Sequence, residues 1–277
     1  MSINKKLESL KHFIHEKGKD GVVIAFSGGL DSSVLAYICH SILDEKSVAV
    51  TSDSPIFSSE EIKEAKRLAS KIGIKHIIIH TREFLKEEFV RNYEDRCYFC
   101  KGLLLDELIK LAEELGFKYV FEGTNLSDLK GHRPGFKAVK ERKPKVISPW
   151  VELGFSKDEI RRIALNLGLS IWNKPPLACL ASRIPYGERI TVERLKRIEK
   201  AERIVRRLSG VQQVRVRDHN GLARIEVGKD EINLLLKENL IEKIVLDLKK
   251  LGFKYITVDL EGYSAGSMLR MLKNRDS

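Results

Sequence analysis

Short runs of apolar, largely β-branched residues, each followed by an amphipathic helical stretch, set the architecture of this chain. Residues 22–26 precede 31–43, residues 47–51 precede 58–72, and 76–80 precede 97–115. Residues 119–121 then lead into a polar stretch, and 146–148 precede 156–167; a helix over 3–17 opens the chain. A strand apolar at nearly every position must be covered on both faces, and helices between such strands supply right-handed crossovers. The pattern predicts an α/β fold, a doubly wound parallel sheet with helices on both sides.

Past residue 187 the rhythm changes. A strongly charged helix is expected over 191–208, then strands at 213–217 and 223–227 around His219-Asn220-Gly221, a good hairpin turn. A helical pattern continues to Leu251, and a strand is expected over 255–258. This order predicts a smaller C-terminal α+β domain, with residues 1–185 forming the first domain and 186–277 the second. Residues 168–187, with three of the seven prolines, read as a linker or active-site loop.

The sharpest motif is Ser27-Gly28-Gly29-Leu30-Asp31-Ser32-Ser33, between the first strand and its helix. Two glycines let the backbone turn tightly and approach a ligand, the serines add hydroxyls, and the helix N-terminus favours an anion. Asp31 is out of place in a pure anion cradle. Beside phosphates a carboxylate makes sense as a Mg²⁺ ligand; otherwise it is an ordinary helix cap. Neither the Gly-x-Gly-x-x-Gly dinucleotide spacing nor a Gly-Lys-Ser/Thr phosphate loop is present.

Fifty Lys and Arg against 39 Asp and Glu give a net charge of +11, which favours anionic partners such as nucleotides, phosphorylated metabolites or RNA. The excess is concentrated from Arg189 to Arg217, where ten basic residues stand against Glu193, Glu199 and Glu202. Arg215 and Arg217 alternate along an expected strand, so both point to one face, where the paired guanidinium groups either suit a phosphate or simply face water. Of the four cysteines, Cys39 falls at helical spacing with Leu35, Ile38 and Ile42 and reads as a core residue. Cys97 and Cys100 form a CxxC next to Arg96 and Lys101, whose charges favour thiolates. Taken alone, that pair suits half a zinc site, a redox pair or chance. Cys179 sits in a Pro-flanked basic loop, where a packing role is less natural.

The Ser-Gly-Gly-Leu-Asp-Ser segment resembles the pyrophosphate loop (PP-loop) of the ATP pyrophosphatases, which cleave ATP between its α and β phosphates and transfer AMP to a substrate oxygen. In that family Thr51-Ser52-Asp53-Ser54 would lie near the adenosine and Glu122-Gly123-Thr124-Asn125 would form a second nucleotide loop. With Asp95-Arg96-Cys97-Tyr98-Phe99-Cys100-Lys101, His132-Arg133-Pro134-Gly135 and Cys179-Leu180-Ala181-Ser182-Arg183, the chain resembles the LarE family of sulfur-insertion enzymes. That resemblance implies ATP with Mg²⁺ on Asp31, adenylation of a carboxylate on a pyridinium mononucleotide, and sulfur transfer for nickel-pincer cofactor assembly. One branch sacrifices the sulfur of a single cysteine, in the position of Cys179. Another holds a 4Fe–4S cluster on three, so Cys97, Cys100 and Cys179 imply the cluster branch, in which a sulfide at an open iron allows repeated turnover. Arg183, Arg215, Arg217 and Glu202 are the implied substrate-phosphate residues, with Arg133 a further candidate for neutralising phosphate charge.

Two other readings stay open: a tRNA-thiolating relative, and a nucleotide-binding regulatory module whose cysteines sense redox state or metals. The paired zinc cysteines and the aromatic-basic platform of an RNA reader are missing, so nucleic acid is not the expected partner. A composition of 43% hydrophobic and 32% charged residues excludes a disordered chain. With no apolar run near the roughly 18 residues of a membrane span and no signal-like N-terminus, a cytoplasmic enzyme is expected. The resemblance implies a homo-oligomer.

Overall fold

The computed structural model describes residues 2–131, 133–175 and 177–270. His132 therefore lies outside the described residues. In chain order the first elements are α1 (Ile3–Gly18), β1 (Val22–Ala25), α2 (Leu30–Leu43), β2 (Ser47–Ser52), α3 (Ser59–Ile72) and β3 (Lys75–Ile79). There follow α4 (Glu87–Val90), α5 (Arg96–Glu114), β4 (Tyr119–Phe121), α6 (Pro134–Glu141), β5 (Val146–Ile147), α7 (Pro149–Glu152) and α8 (Lys157–Asn166). The remainder is α9 (Val192–Ser209), β6 (Val214–His219), β7 (Leu222–Val227), α10 (Ile232–Leu235), α11 (Glu238–Lys250) and β8 (Tyr255–Val258).

These elements form two units. The first comprises Met1–Lys86 and Asp95–Leu177; the second joins Glu87–Glu94 to the chain from Ala178 onward.

The first unit is built on a five-stranded, all-parallel sheet of order β3-β2-β1-β4-β5. Strand alternation divides its core in two. Val22, Ile24 and Ala49 pack with Leu10 and Ile14 of α1, Val34 and Leu35 of α2, and Ile160 of α8. Val23, Val48 and Val50 point the other way, onto Leu105 and Leu108 of α5 and Ala138 and Val139 of α6. Every β2 residue is buried, the double coverage that its unbroken apolar run predicts. Capping boxes fix where two helices begin, Ser58 with Glu61 for α3 and Ser156 with Glu159 for α8. Helix α6 lies within the stretch read from sequence as merely polar. It is eight residues long, with Pro134 in its first turn and only Ala138 and Val139 buried, too short for a clear periodic signal.

In the second unit, the antiparallel hairpin β6–β7 pairs Arg215 with Glu226 and Arg217 with Arg224, and β8 adds to β7 in parallel. Its turn uses Asn220 at φ 48° and Gly221 at φ 94°, the positive dihedrals of a tight hairpin. Val214, Val216, Ala223, Ile225 and Val227 pack against Ala201 and Val205 of α9 and Ile244 and Leu248 of α11. The expected helix up to Leu251 is interrupted at Leu236-Lys237, separating α10 from α11. Asn92 ties Glu87–Glu94 to this unit: its side chain donates to the carbonyls of Ile184 (3.3 Å), Pro185 (2.7 Å) and Glu188 (3.0 Å). No helix among the described residues is long and apolar enough to cross a membrane.

Candidate active site

The sheet order reverses between β1 and β4, because β2 and β3 lie to one side of β1 and β4 and β5 to the other. In open α/β sheets the crevice beyond the carboxyl ends of two such strands receives the ligand. Both nucleotide-loop candidates leave from these strands: Ser27–Ser33 follows β1, and Glu122–Asn125 follows β4.

The first loop is fixed by its own serines. Ser32 Oγ accepts from the backbone N–H of Ser27 (3.2 Å) and donates to Gly29 O (3.2 Å), and Ser27 Oγ accepts from the backbone N–H of Gly29 (3.3 Å). Gly28 has φ +68°, and a Cβ there would stand 3.0 Å from Ala65 Cα, so both dihedral and space call for glycine. Gly29 caps α2 without a side chain, which removes the reading of Asp31 as the cap. Ser33 Oγ is fully buried without a hydrogen-bond partner among the described residues. The geometry is a cradle of backbone N–H groups and hydroxyls at a helix N-terminus, suited to phosphate oxygens.

Asp31 is held between the two loops. Its Oδ1 accepts from Asn125 Nδ2 at 3.1 Å and its Oδ2 from Lys157 Nζ of α8. Burial pushes its carboxyl upward from the usual carboxylate range; the Lys157 ammonium opposes this and nearby Asp128 adds to it. A carboxylate beside a phosphate cradle is the donor that a hard divalent ion takes together with phosphate oxygens, and Asn125 and Lys157 hold this one in place. Asn125, fully buried, accepts from the backbone N–H of Ser127 (2.9 Å) and donates to Asp128 Oδ2 (2.9 Å). Gly123 fits tightly against α2, since a Cβ there would come 3.1 Å from Ser32 N.

The second loop stands on a buried acid that sequence reading did not single out. Glu122, 1% exposed, accepts from Lys101 Nζ (3.1 Å), Thr124 Oγ1 (2.7 Å), the Thr124 backbone N–H (3.2 Å) and Ser148 Oγ. Burial pushes its carboxyl up, but the Lys101 ammonium and the hydroxyls outweigh that and hold it below the ordinary range. Lys101 is thus committed to Glu122, although sequence reading placed its charge beside the CxxC thiols. Arg96, the other expected neighbour, is buried.

Thr51 is 3% exposed and donates to Phe26 O at 2.7 Å, so it braces the first loop from β2; its Oγ1 lies 2.8 Å from His76 Nε2. Asp53 is half-buried at the end of β2, its backbone N–H donating to Ile79 O at 2.8 Å. Thr124 is turned toward Glu122, and Arg133 pairs with Asp128.

Three of the sequence-predicted residues of the second unit form one cluster. Arg183, 3% exposed, meets Glu202 through Nε (2.9 Å) and Nη2 (3.2 Å), and its Nη1 donates to the carbonyls of Ala178 (2.6 Å) and Cys179 (2.9 Å). Glu202 also accepts the edge-strand N–H of Val216 at 3.1 Å. Arg217 is held by Glu226 (2.6 Å) and by Ser182 O (3.1 Å). Arg215 differs: its hydrogen bond goes to Val214 O (2.8 Å), its guanidinium stacks over Tyr263, and among the described residues no carboxylate pairs with it. Burial, followed by the charge of Arg183, lowers its proton affinity. A desolvated cation without a counter-ion is an anion receptor in waiting.

Cys97 and Cys100 are three residues apart in α5, on one helical face, exposed and half-buried respectively. Cys179 is half-buried and precedes the short helical turn Leu180–Arg183; its carbonyl also accepts from Ser182 Oγ at 2.8 Å. Cys97 and Cys100 belong to the first unit and Cys179 to the second. All three are thiols, the donor type that iron–sulfur clusters take. Among the described residues, no three His, Cys, Asp or Glu side chains are grouped so as to hold a metal ion. Cys39 is fully buried, as its spacing predicts.

A parallel 3-2-1-4-5 sheet with a Ser-Gly-Gly-Leu-Asp-Ser cradle at its point of reversal defines an ATP-using enzyme of the PP-loop class, and residues 2–102 match the NAD synthase family model. The chain is 34% identical over 249 residues to the pyridinium-3,5-bisthiocarboxylic acid mononucleotide synthase of Lactiplantibacillus plantarum, covering 89% of this chain and 88% of that protein. It is also 44% identical over 270 residues to the uncharacterized protein slr1717 of a Synechocystis strain, covering 98% of this chain and 99% of the relative. To the uncharacterized MJ0830 of Methanocaldococcus jannaschii it is 32% identical over 261 residues, 94% and 97% of the two chains. The chain belongs to the LarE family, ATP-dependent enzymes of the adenylating, sulfur-transferring kind.

Proposed function

We propose that this protein adenylates a carboxylate of pyridinium-3,5-biscarboxylic acid mononucleotide and replaces the activated oxygen with sulfur, giving the thiocarboxylate used in nickel-pincer cofactor assembly. The observation that carries this reading is the junction of two loops at the β1/β4 reversal, where Asn125 and Lys157 both bond Asp31 beside the serine-glycine cradle.

In this reading Ser27, Gly28, Gly29, Ser32 and Ser33 receive the pyrophosphate part of ATP. Gly123, Thr124, Asn125 and Asp53 line the nucleoside side, and Thr51 acts through the loop it braces. Mg²⁺ on Asp31 would screen charge on the phosphates. The substrate carboxylate oxygen bonds to the α-phosphorus as the bond to the bridging oxygen breaks, its electron pair leaving on pyrophosphate. Arg215, which has no carboxylate ion pair among the described residues, takes the phosphate of the substrate. Glu202, Arg183 and Arg217 hold that cluster in shape. A 4Fe–4S cluster on Cys97, Cys100 and Cys179 would supply hydrosulfide at an open iron.

The test is anaerobic incubation of the purified chain with MgATP, the dicarboxylate nucleotide and sulfide. AMP, pyrophosphate and a thiocarboxylate forming in step support the reading; ADP formation, or AMP without sulfur incorporation, refutes it. The mass of Cys179 after several turnovers then separates the two sulfur sources. An unchanged residue fits repeated turnover, and loss of the elements of H2S marks a sacrificial cysteine.

A further inference from the structure

The cradle Phe26–Ser33 contains no lysine or arginine, yet the group that leaves when ATP is split at its α phosphate is a highly charged pyrophosphate. Phosphoryl and nucleotidyl transfer sites place a fixed cation against such a leaving group. Among the described residues two lysines touch this cradle: Lys157 is taken up by the Asp31 carboxylate, while Lys174 meets its backbone at the glycines. Lys174, from the Pro-flanked loop after α8, donates to the carbonyl of Gly28 at 2.8 Å and pairs with Glu64 of α3 at 2.9 Å. Its side chain is only 13% exposed. An ammonium has three donors; one is hydrogen-bonded to Gly28 O, and Glu64 stands beside it as an ion-pair partner, which leaves donor capacity for an incoming phosphate oxygen.

The position of Lys174 is built. Arg161 of α8 donates to the carbonyls of Trp172 (2.6 Å) and Lys174 (3.4 Å), fixing the backbone that carries the lysine. One turn earlier on the same helix, Lys157 bonds Asp31. Residues at this spacing share a helical face, so α8 organises a cation at each end of the cradle. Leu177 closes on the same loop: a Cβ at Gly29 would lie 3.5 Å from its Cδ1. Glu64, by contrast, is 45% exposed, a partner that an incoming phosphate oxygen displaces at little cost.

We infer that Lys174 is a catalytic residue that binds the departing pyrophosphate, with Glu64 holding its ammonium in place before ATP arrives. The step is the α–β cleavage of the proposed function, on which this inference rests. As the bond from the α-phosphorus to its bridging oxygen breaks, the negative charge gathering on pyrophosphate is met by the ammonium, and no proton needs to move.

The experiment uses the full chain and two probes, magnesium pyrophosphate and AMP, with binding measured by calorimetry in wild type, Lys174→Ala and Lys174→Arg. Lys174→Ala should weaken pyrophosphate binding by about tenfold or more while AMP binding changes by less than about twofold. Lys174→Arg should recover part of the loss. AMP formation at saturating MgATP should fall on the order of 100-fold in the alanine variant. Equal pyrophosphate affinity in wild type and a folded Lys174→Ala protein overturns the inference. Parallel losses of pyrophosphate and AMP, or no pyrophosphate binding by wild type, overturn it as well. Because the binding split does not depend on turnover, a wild type that binds pyrophosphate but activates no carboxylate counts against the proposed function alone.

Discussion

Removing either partner of the Lys101–Glu122 pair should destabilise the first unit unequally. The pair is 3.1 Å long, but Glu122 is 2% exposed at its side chain and Lys101 is 27% exposed. Lys101→Met leaves an ionised carboxylate in a buried site, supported only by Thr124 and Ser148. Breaking a buried pair in this way costs roughly 3–5 kcal/mol. Glu122→Gln leaves an ammonium whose long stem reaches water; the amide oxygen still accepts from one hydroxyl, and the other hydroxyl can turn to accept from the amide NH2. Its cost should be about 1–2 kcal/mol. The double variant should cost less than the sum of the two singles, because each already loses the shared contact. Trp150 and Trp172 both lie in the first unit, and Trp150 is fully buried, so tryptophan fluorescence during urea unfolding reports on that unit. The pH dependence adds a sign. Since the folded-state carboxyl of Glu122 lies below its ordinary value of 4.5, its stabilisation is complete above that pH and is lost as pH falls through the lower folded value. Glu122→Gln should flatten that part of the stability curve. Equal costs for the two single variants, or an unaltered acid limb in Glu122→Gln, would refute the asymmetry.

Asn92→Ala removes three hydrogen bonds, two of them buried, and places alanine at φ 60°, so the second unit should lose about 2–4 kcal/mol and its 184–188 segment should become sensitive to limited proteolysis. Undiminished protease resistance there would show that the segment is held by other means. Gly28→Ala combines φ +68° with a 3.0 Å approach to Ala65; ATP binding should fall at least about tenfold for a stability loss near 1–2 kcal/mol, checked by calorimetry and thermal unfolding. Arg215→Ala should weaken binding of the substrate nucleotide more than that of ATP, by about tenfold, in paired titrations. Equal weakening of both ligands would assign Arg215 a structural role.

The strands and most helices were legible because burial on two faces leaves unbroken Val/Ile runs, and because Ser58 and Ser156 carry capping boxes that mark helix starts. The serine-glycine cradle was legible for a related reason: its serine hydrogen bonds run between residues within seven positions of each other. Lys157 and Lys174 were not, since each meets its partner across more than a hundred residues and neither stands in a local pattern. The attachment of Glu87–Glu94 to the second unit rests on the Asn92 side chain, on backbone bonds from Gly187 to Asn92 and from Ile190 to Val90, and on the Arg189–Glu87 pair, none of which a periodicity records. Lys101 shows the opposite failure: a neighbour in sequence of Cys100, it spends its charge on Glu122 across the fold.

The central claim is that a substrate carboxylate attacks the α-phosphorus of ATP in the cradle beside Asp31. The most direct test supplies the dicarboxylate nucleotide with heavy-oxygen-labelled carboxylates and follows the label by mass spectrometry. The account predicts one labelled oxygen in each AMP released, and no labelled AMP from Asp31→Asn. AMP that carries no label, with pyrophosphate still released, would contradict it.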